Sequence, residues 1–492
     1  MSPEFALAAL LGAPLLQALL VLALSRPPGL RDLVHVMGSG AVAALAGYLV
    51  HAVSQGASPR IVLANPLPNV ELAFSAEPLG TLAAAVVGGL GFLHAIHTSG
   101  MVRAIDQKAP ARLMAFSALT TAAAMAVMFS ANLFSFFVAY QALALAAFPL
   151  VAHVGDDEAR TSARLFLAML LGASIALLLP AMIWTYTLSG TLEFQVGGVL
   201  AGRIDPLSAN ALLVLFVLGI AAAAAPPMHR WLTMSFTAPY PALVKVQALA
   251  VLPAGGVGLL KVFAYVFGPA LIAEETGRQI LAAQILLGLC GVIMCAAAVI
   301  ALSKTDIRER LAYSLWAQAL AAIIGGLLAA PAGLFAAALQ IVATSCAATT
   351  LLMAVGTTAA VTGRNNVADY PGLGRVMPWT FAGFAIACAS IIGMPPFSGA
   401  WSKLWLITAS ASTGVIWAAG LVGVAAVLTF AHLGPLAANA FAGRAPTDAF
   451  KRPDGASILL VAPVILGAAA TLGLLVLADP LASFLSPVWT PR

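Results

Sequence analysis

Long stretches of apolar residues recur along the whole chain and are separated by short segments that hold most of the charged residues. Nearly every stretch reaches the ~20 residues that an α-helix needs to cross the hydrocarbon core of a membrane. Because the apolar runs are continuous rather than alternating, they favour helices over transmembrane strands. The pattern predicts fourteen spans, the twelfth of them broken, at about 5–25, 33–53, 78–98, 112–130, 132–153, 162–186, 208–227, 240–267, 279–302, 310–329, 331–358, 377–410, 413–441 and 457–484.

The composition agrees with this pattern. The 492 residues are 62% hydrophobic and only 8% charged, and the mean hydropathy is +1.01. Soluble domains carry about 25% charged residues, which excludes a soluble enzyme and a nucleic-acid-binding protein. The sequence therefore predicts an all-α polytopic membrane protein that contacts lipid and has no nucleic-acid partner.

The basic residues alternate from one connection to the next. Of the 23 Lys and Arg residues, sixteen lie in or beside the connections after odd-numbered spans, four lie in even-numbered connections or the C-terminal tail, and three lie inside spans. Because cytoplasmic loops carry an excess of Lys and Arg, we expect the odd-numbered connections in the cytoplasm and both termini outside. No carboxylate lies near the middle of a span.

The sequence offers no recognisable metal or cofactor motif. The four cysteines lie inside apolar runs and outside any Cys-x-x-Cys spacing, so we expect small buried residues rather than disulfides or cluster ligands: Cys290, Cys295, Cys346 and Cys388. No zinc, nucleotide, flavin, haem or iron–sulfur pattern is visible. We expect no metal, no cofactor and no catalytic residue in this chain.

Two proline pairs interrupt the helical pattern in a related way. Pro226 and Pro227 end the seventh span, and Pro395 and Pro396 lie inside the twelfth. Proline removes a backbone donor and clashes with the preceding turn, and in lipid the freed carbonyls need partners within protein or beside water. Paired breaks in two halves of a chain indicate a transport path built from repeats, although a simple packing kink is the alternative.

A few polar residues inside the spans are candidates for an ion pathway. Lys403 follows the second break by seven residues, which places it near mid-membrane, where a charge costs at least ~2.5–3.5 kcal/mol. Lys245 and Lys261 lie in the eighth span, and each either faces the interior or reaches the interface. His432 lies inside the thirteenth span and His229 lies beside the first break, and histidine is a common proton relay. The other histidines lie near span ends, where hydrated interfacial side chains are expected: His35, His51, His94, His97 and His153.

Four segments resemble the antiporter-like membrane subunits of respiratory complex I, which are shared with Mrp cation/proton antiporters and membrane-bound group 4 hydrogenases. Thr305-Asp-Ile-Arg-Glu-Arg-Leu-Ala-Tyr-Ser314 resembles T-D-I-K-R-x-L-A-Y-S, and Gly393 to Lys403 resembles G-x-P-P-x-x-G-F-x-x-K. The other two matches are weaker: Asn132 to Gln141, and Pro227-Met-His-Arg-Trp-Leu232 followed by Ala238 to Leu243.

The resemblance implies two inverted five-helix repeats with broken helices seven and twelve and a polar axis at mid-membrane. It divides the chain into N-terminal peripheral helices (1–110), a first repeat (111–268), a second repeat (269–441) and a C-terminal helix (442–492). Carried over by position, the helix-twelve lysine is kept as Lys403. The helix-five glutamate falls on Gln141, the helix-seven lysine on Ala222 and the helix-eight polar position near Gln247. The first half-channel is therefore expected to be degenerate.

These features predict a membrane-arm subunit of a redox-driven, ion-translocating complex in a bacterial cytoplasmic membrane. Its expected partners are other membrane subunits, including sister antiporter-like subunits, and soluble redox subunits indirectly, while the chain itself performs no redox chemistry. Three alternatives remain open: a non-pumping structural subunit of the same assembly, the membrane partner of a two-component inorganic-carbon uptake system, and an Mrp-type antiporter subunit. A stand-alone secondary transporter is the least favoured reading.

Overall fold

A computed structural model describes residues 1–273, 280–443 and 456–489. The basic residues Arg444, Lys451 and Arg452 of the expected connection after the thirteenth span lie outside the described residues, as do Arg278 and Arg492. The main helices are α1 (Pro3–Ala23), α2 (Pro28–Ser54), α3 (Pro78–Ala104), α4 (Pro110–Phe129), α5 (Leu133–Val151), α6 (Asp157–Ser189), α7 (Pro206–Gly219), α8 (Tyr240–Phe267), α9 (Leu281–Ser303), α10 (Ile307–Leu327), α11 (Pro331–Thr362), α12 (Pro378–Ile392), α13 (Ser398–Ser412), α14 (Ile416–Phe441) and α15 (Ile458–Val476).

Within the described ranges, eleven of these helices are long and apolar enough to cross a membrane. Two further predicted spans are broken in the structure, as α7 and as α12 with α13, and α10 carries charged residues in its first turns. The polytopic helical architecture is confirmed, and the count of fourteen spans stays a prediction. Short helices occur at Arg230–Met234, Pro269–Ala273, Leu373–Val376 and Ala478–Leu485.

The centre of the bundle is formed by α8 and α11. In each of them, 94% of the most apolar window is buried, whereas the corresponding figure for α2 is 22%. The helix α3 contacts α2 on one side and α11 and α15 on the other. Helix α3, which carries His94 and His97, therefore lies between the N-terminal helices and the second half of the chain.

A β-hairpin that the sequence did not predict joins α2 to α3. Its strands β1 (Arg60–Leu67) and β2 (Val70–Ser75) are antiparallel, and Arg60 pairs with Ser75. The side chain of Asn132 donates a hydrogen bond to the Glu71 carbonyl (2.9 Å), which ties the hairpin to the start of α5. The hairpin thus covers the end of the bundle opposite the basic connections.

Helix α7 ends at Gly219, well before the proline pair that was predicted to end it. The sequence of Ala221 to Ala225 favours helix, yet a short 3₁₀ turn and irregular backbone replace it. Close packing explains the difference, because a Cβ on Gly255 of α8 would lie 2.3 Å from the Ala222 carbonyl carbon. Gly219 similarly approaches the Leu178 backbone, so both glycines allow close packing at this break.

The second break lies where it was predicted. Helix α12 ends at Ile392, and Gly393 follows in a left-handed conformation (φ +93°), which glycine adopts without a steric cost. The chain resumes as α13 at Ser398. The four cysteines are free thiols; Cys290, Cys346 and Cys388 are buried, as expected, whereas Cys295 is only partly buried.

Candidate ion-translocation site

Lys403 lies at the second break and is buried in the second turn of α13. Its amine donates one hydrogen bond to the Ile391 carbonyl (2.9 Å) and one to Gln318 Oε1 (3.1 Å) on α10. The last carbonyls of a helix have no partner within that helix, so the break supplies an acceptor for the amine. The amine is therefore enclosed within the protein, and its location near mid-membrane stays a prediction.

A network of neutral polar side chains surrounds the amine. Gln340 on α11 donates to Gln318 Oε1 (3.1 Å) and to Thr344 Oγ1 (3.1 Å). Ser402, beside Lys403, donates to Gln340 Oε1 (2.6 Å). The sequence analysis missed both glutamines, although an amide in an otherwise apolar run is a signal, since a buried amide needs partners.

His432 reaches the same line of polar groups from α14. Its Nε2 lies 3.3 Å from Ser314 Oγ, and its Nδ1 lies 3.0 Å from the Leu428 carbonyl. Ser314 and Gln318 are one turn apart on α10, a rise of about 6 Å. Helix α10 therefore connects Lys403 to His432, and Arg310, whose guanidinium donates to the His432 carbonyl (3.3 Å), continues the line to the basic end of the bundle.

No carboxylate forms an ion pair with Lys403 in the part of the chain that the structure describes. Its hydrogen-bond acceptors are all neutral oxygens. A buried amine without a counter-charge changes its proton occupancy readily when another charge approaches. The arrangement can therefore hold and release a proton.

The first break is built differently. The Ala222 N–H donates to the Tyr140 hydroxyl (2.9 Å), and the Trp231 indole donates to the Ala221 carbonyl (2.7 Å). A second indole, that of Trp316, donates to the Ala224 carbonyl (2.9 Å). Ala222 is fully buried, so the position of the expected lysine is filled by backbone and aromatic side chains.

Two of the predicted pathway residues lie at the edges of this first break. His229 stacks on Trp316 with ring centroids 3.7 Å apart. Gln141 is only partly buried and exchanges hydrogen bonds with Ser174 of α6 (2.9 and 3.1 Å). Neither side chain contacts the Lys403 network through a hydrogen bond in the described residues.

Gln247 and Lys245 point to different neighbours, as their spacing of two residues implies. Gln247 donates to the Leu232 carbonyl (3.1 Å) and to Ser235 Oγ. Together with Gln318, it also lines a small cavity of about 30 Å³ between α8, α10 and α11. A cavity of that size holds about one or two water molecules. Gln247 and Gln318, which belongs to the Lys403 network, therefore border the same cavity.

Lys245 faces the N-terminal helices instead. It is 3% exposed, and its amine donates to Thr121 Oγ1 on α4 (3.0 Å). The Lys245 amine is therefore inside the protein.

Lys261 is also buried inside the protein, where it has an acidic partner that the sequence analysis missed. Its amine lies 3.2 Å from Glu77 Oε1 and donates to the Ser130 carbonyl (2.9 Å). Glu77 caps α3 by accepting from the Leu79 and Gly80 N–H groups (2.7 and 2.8 Å). The pair is far apart in sequence, and only the packing of α3 against α8 brings it together.

The prediction of hydrated histidines at span ends is wrong for His35, His94 and His97, which are at most 2% exposed. The reason is that α2 begins earlier and α3 ends later than predicted, which moves these residues inside the bundle. His153 is buried as well and bonds the Lys108 carbonyl (3.0 Å). His51 is exposed, as expected.

The described residues contain no group of three or more His, Cys, Asp or Glu side chains placed to hold a metal ion.

Comparison with known proteins identifies the family. Residues 130–429 match the model of the NADH:quinone oxidoreductase/Mrp antiporter transmembrane family. The chain belongs to this family. The resemblance that was inferred from four segments is thereby confirmed.

Individual relatives support the same assignment. The chain is 30% identical over 307 residues to subunit N of the NADH-quinone oxidoreductase of Heliobacterium modesticaldum, which covers 60% of this chain and 61% of the relative. It is 25% identical over 377 residues to NAD(P)H-quinone oxidoreductase subunit 5 of Paulinella chromatophora, which covers 72% of this chain and 53% of the relative. The chain thus spans between half and two thirds of the length of these curated relatives.

The fold has a solved counterpart in the Mrp complex from a Dietzia species. The TM-score is 0.86 at 22% sequence identity, and the match covers 100% of this chain and 98% of the other. At this identity the match establishes the fold of the antiporter-like subunit, which is an integral multi-pass membrane protein.

Proposed function

We propose that the chain is an ion-translocating membrane subunit of a multisubunit complex and that it moves protons through its second repeat. The relatives are subunits of NADH-quinone oxidoreductases, and the solved counterpart belongs to an Mrp complex. Sister membrane subunits and lipid are the direct partners in this proposal, and soluble redox subunits are indirect ones. The membrane is a bacterial cytoplasmic membrane, with the basic connections in the cytoplasm and both termini outside.

The observation that carries this proposal is the buried line from Lys403 through Gln318 and Ser314 to His432. A proton that reaches His432 from the basic end has polar groups along α10 that water can join into a path. Lys403, at the end of that path, accepts the proton and gives it up when a charge moves in a neighbouring subunit. This chain supplies the proton site, and any electron transfer belongs to partner chains.

The first experiment is a purification of the complex from native membranes in mild detergent, with mass spectrometry of the co-purified chains. We expect other membrane subunits of the same family together with soluble redox proteins. A single soluble zinc protein, or no partner at all, would contradict this assembly and favour inorganic-carbon uptake or a solitary transporter.

The second experiment measures proton translocation by the intact complex in sealed vesicles after Lys403→Met. We expect translocation to stop, because methionine fills the same space but binds no proton. Lys108→Met is the matched control, since Lys108 is exposed in a connection on the basic side. Unchanged translocation in Lys403→Met, with normal assembly, would refute the proposal.

The competing candidate is a structural subunit that relays conformational change without carrying ions. The closed first break favours it, because Ala222 and its aromatic cover leave no titratable group in the place of the expected lysine. The Lys403 experiment separates the two candidates, since the structural role does not depend on a proton at this amine.

A further inference from the structure

A second group of buried basic side chains lies outside the Lys403 line, between the N-terminal helices and α8. Lys245, His35 and His94 come from α8, α2 and α3, and all three are at most 3% exposed. Helix α3 packs against both α2, which carries His35, and the turn Lys245–Ala250 of α8. These residues have no counterpart among the polar positions that the family resemblance implies, because that position in α8 falls on Gln247.

Gly91 of α3 lies beside the Lys245 amine and leaves room there, because glycine has no Cβ. A Cβ on Gly91 would have Lys245 Nζ as its only neighbour within 4 Å, at 3.9 Å, although Gly91 is itself buried. His94 follows Gly91 by three residues and therefore lies on the same face of α3. A space large enough for one methyl group therefore lies between the amine and this face of α3.

The hydrogen bonds fix complementary roles for the two histidines. Gln17 donates to His35 Nδ1 (3.1 Å), so the ring carries its proton on Nε2, which has no partner in the described residues. His94 Nε2 lies 2.8 Å from the Pro241 carbonyl and donates to it, so the free, buried Nδ1 is an acceptor. A buried donor and a buried acceptor that lack protein partners are atoms whose hydrogen bonds water completes.

No Asp or Glu among the residues that the structure describes forms an ion pair with Lys245, His35 or His94. Helices α3, α4 and α11 contain no Asp or Glu, and the one acid of α2 is Asp32. Asp32 is held by Arg31 (2.7 Å) and by Arg103 (2.7 Å), the second of which is 55% exposed at the basic end of the bundle. The other nearby basic group, His97, bonds Thr357 Oγ1 on α11 (3.0 Å).

We propose that Lys245, His35 and His94 form a second proton-exchange site, which is reached from the basic face past Asp32 and Arg103. His35 lies one turn beyond Asp32 on α2. In this arrangement the exchangeable lysine of the first repeat is on the opposite face of α8 from Gln247. The closed break at Ala222 then does not prevent the N-terminal half from taking up protons.

The proton steps balance without any other reactant. A proton from the basic face passes along water molecules, one of which accepts a hydrogen bond from His35 Nε2–H. It is taken up by His94 Nδ1 or by the neutral Lys245 amine. His35 keeps its proton on Nε2 throughout, and the Gln17 amide keeps its hydrogen bonds to His35 Nδ1, the His35 carbonyl and Ser39 Oγ. No bond other than N–H and O–H bonds forms or breaks.

This inference rests on the proposed proton translocation, so its test compares the two lysines in the same intact complex. We expect Lys245→Met to lower the rate of proton translocation in vesicles by about tenfold or more, as the loss of a proton-transfer group does. Translocation that stops with Lys403→Met but is unchanged with Lys245→Met overturns this inference and leaves the proposed function intact. Translocation that is unchanged in both variants refutes the proposed function itself.

A second variant and a direct probe of hydration guard against misfolding. His35→Asn keeps an acceptor for Gln17 but removes the Nε2 proton, and we expect it to slow translocation like Lys245→Met, with normal assembly. Labelling of the unsubstituted protein with a small cationic methanethiosulfonate gives the contribution of the native cysteines. With Gly91→Cys, we expect additional labelling from the basic face. Absence of that labelling overturns the proposed access route whether or not the complex translocates protons.

Discussion

The two helix breaks share a proline pair and a following tryptophan, yet they differ in what meets the freed backbone. At the first break, the backbone of residues 221–224 bonds the Tyr140 hydroxyl and two indoles, and α8 packs directly on it through Gly255. At the second break, the freed carbonyl of Ile391 accepts from the Lys403 amine. A broken helix in a membrane therefore does not by itself mark an ion site. Whether a break can take part in proton transfer depends on the side chain that bonds its freed backbone. An ionisable side chain such as Lys403 can exchange a proton there.

The strongest test of this comparison places a lysine in the first break. We expect Ala222→Lys to prevent assembly or to destabilise the chain by several kcal/mol, since it buries a charge without a partner in a filled position. Size-exclusion chromatography and thermal unfolding of the purified complex measure the effect. Ala222→Ser, a smaller change at the same place, is the control.

The same variant combined with Lys403→Met asks whether the breaks are interchangeable. We expect no recovery of proton translocation, because the first break lacks the amide network that surrounds Lys403. Recovery in the double variant would show that the first break is an intact site that merely lacks its lysine.

A smaller effect is expected from Gln318, which provides the acceptor that distinguishes the second break. Gln318→Ala leaves the Lys403 amine with the Ile391 carbonyl alone, and the loss of a hydrogen bond to a charged group costs about 1.5–3 kcal/mol. We expect slower translocation together with a lower unfolding temperature. Thr344→Val, at the edge of the network, removes a bond to Gln340 without touching Lys403 and is the matched control.

Sequence reasoning located the second break well and the first one only in part. Lys403 and the proline pairs are visible because a charge or a proline is conspicuous in an apolar run. The early end of α7 was not visible, since the alanine run favours helix locally and only contacts with Tyr140, Trp231 and α8 unwind it.

The pairings between distant segments were equally hidden. Glu77 meets Lys261, and Gln318 meets Lys403, because helices pack in three dimensions. The buried histidines were misjudged for a related reason: a residue near the end of a predicted span lies in the interior when its helix is longer and is covered by neighbouring helices.

Tyr140 provides a test of what closes the first break. Tyr140→Phe removes the acceptor of the Ala222 N–H and leaves that buried donor unpaired, which costs about 1–3 kcal/mol. We expect a lower unfolding temperature but an unchanged rate of translocation per assembled complex. A changed rate would mean that the first break takes part in ion movement, contrary to the comparison. Tyr186→Phe, on α6 and away from the break, is the control.

The smallest expected effect concerns how α7 and α13, the helices beside the two breaks, begin. Asp205 caps α7, and hydrogen bonds from the Ser208 side chain and backbone and from the Leu207 backbone lower the pKa of its carboxyl group. No side chain caps the start of α13.

Because the pKa of Asp205 is lower in the folded state, its contribution to stability is present above the ordinary value of 3.8 and is lost as the pH falls through the lowered value. Asp205→Asn keeps a capping side chain and removes this titration. We therefore expect the unfolding temperatures of the wild type and the variant to converge as the pH falls below about 5 and through the lowered pKa of Asp205. Asp157→Asn removes the same charge from the first turn of α6, where Asp156 is the cap, and is the control. A constant difference across this range would show that the carboxylate of Asp205 does not stabilise the helix that leads into the first break.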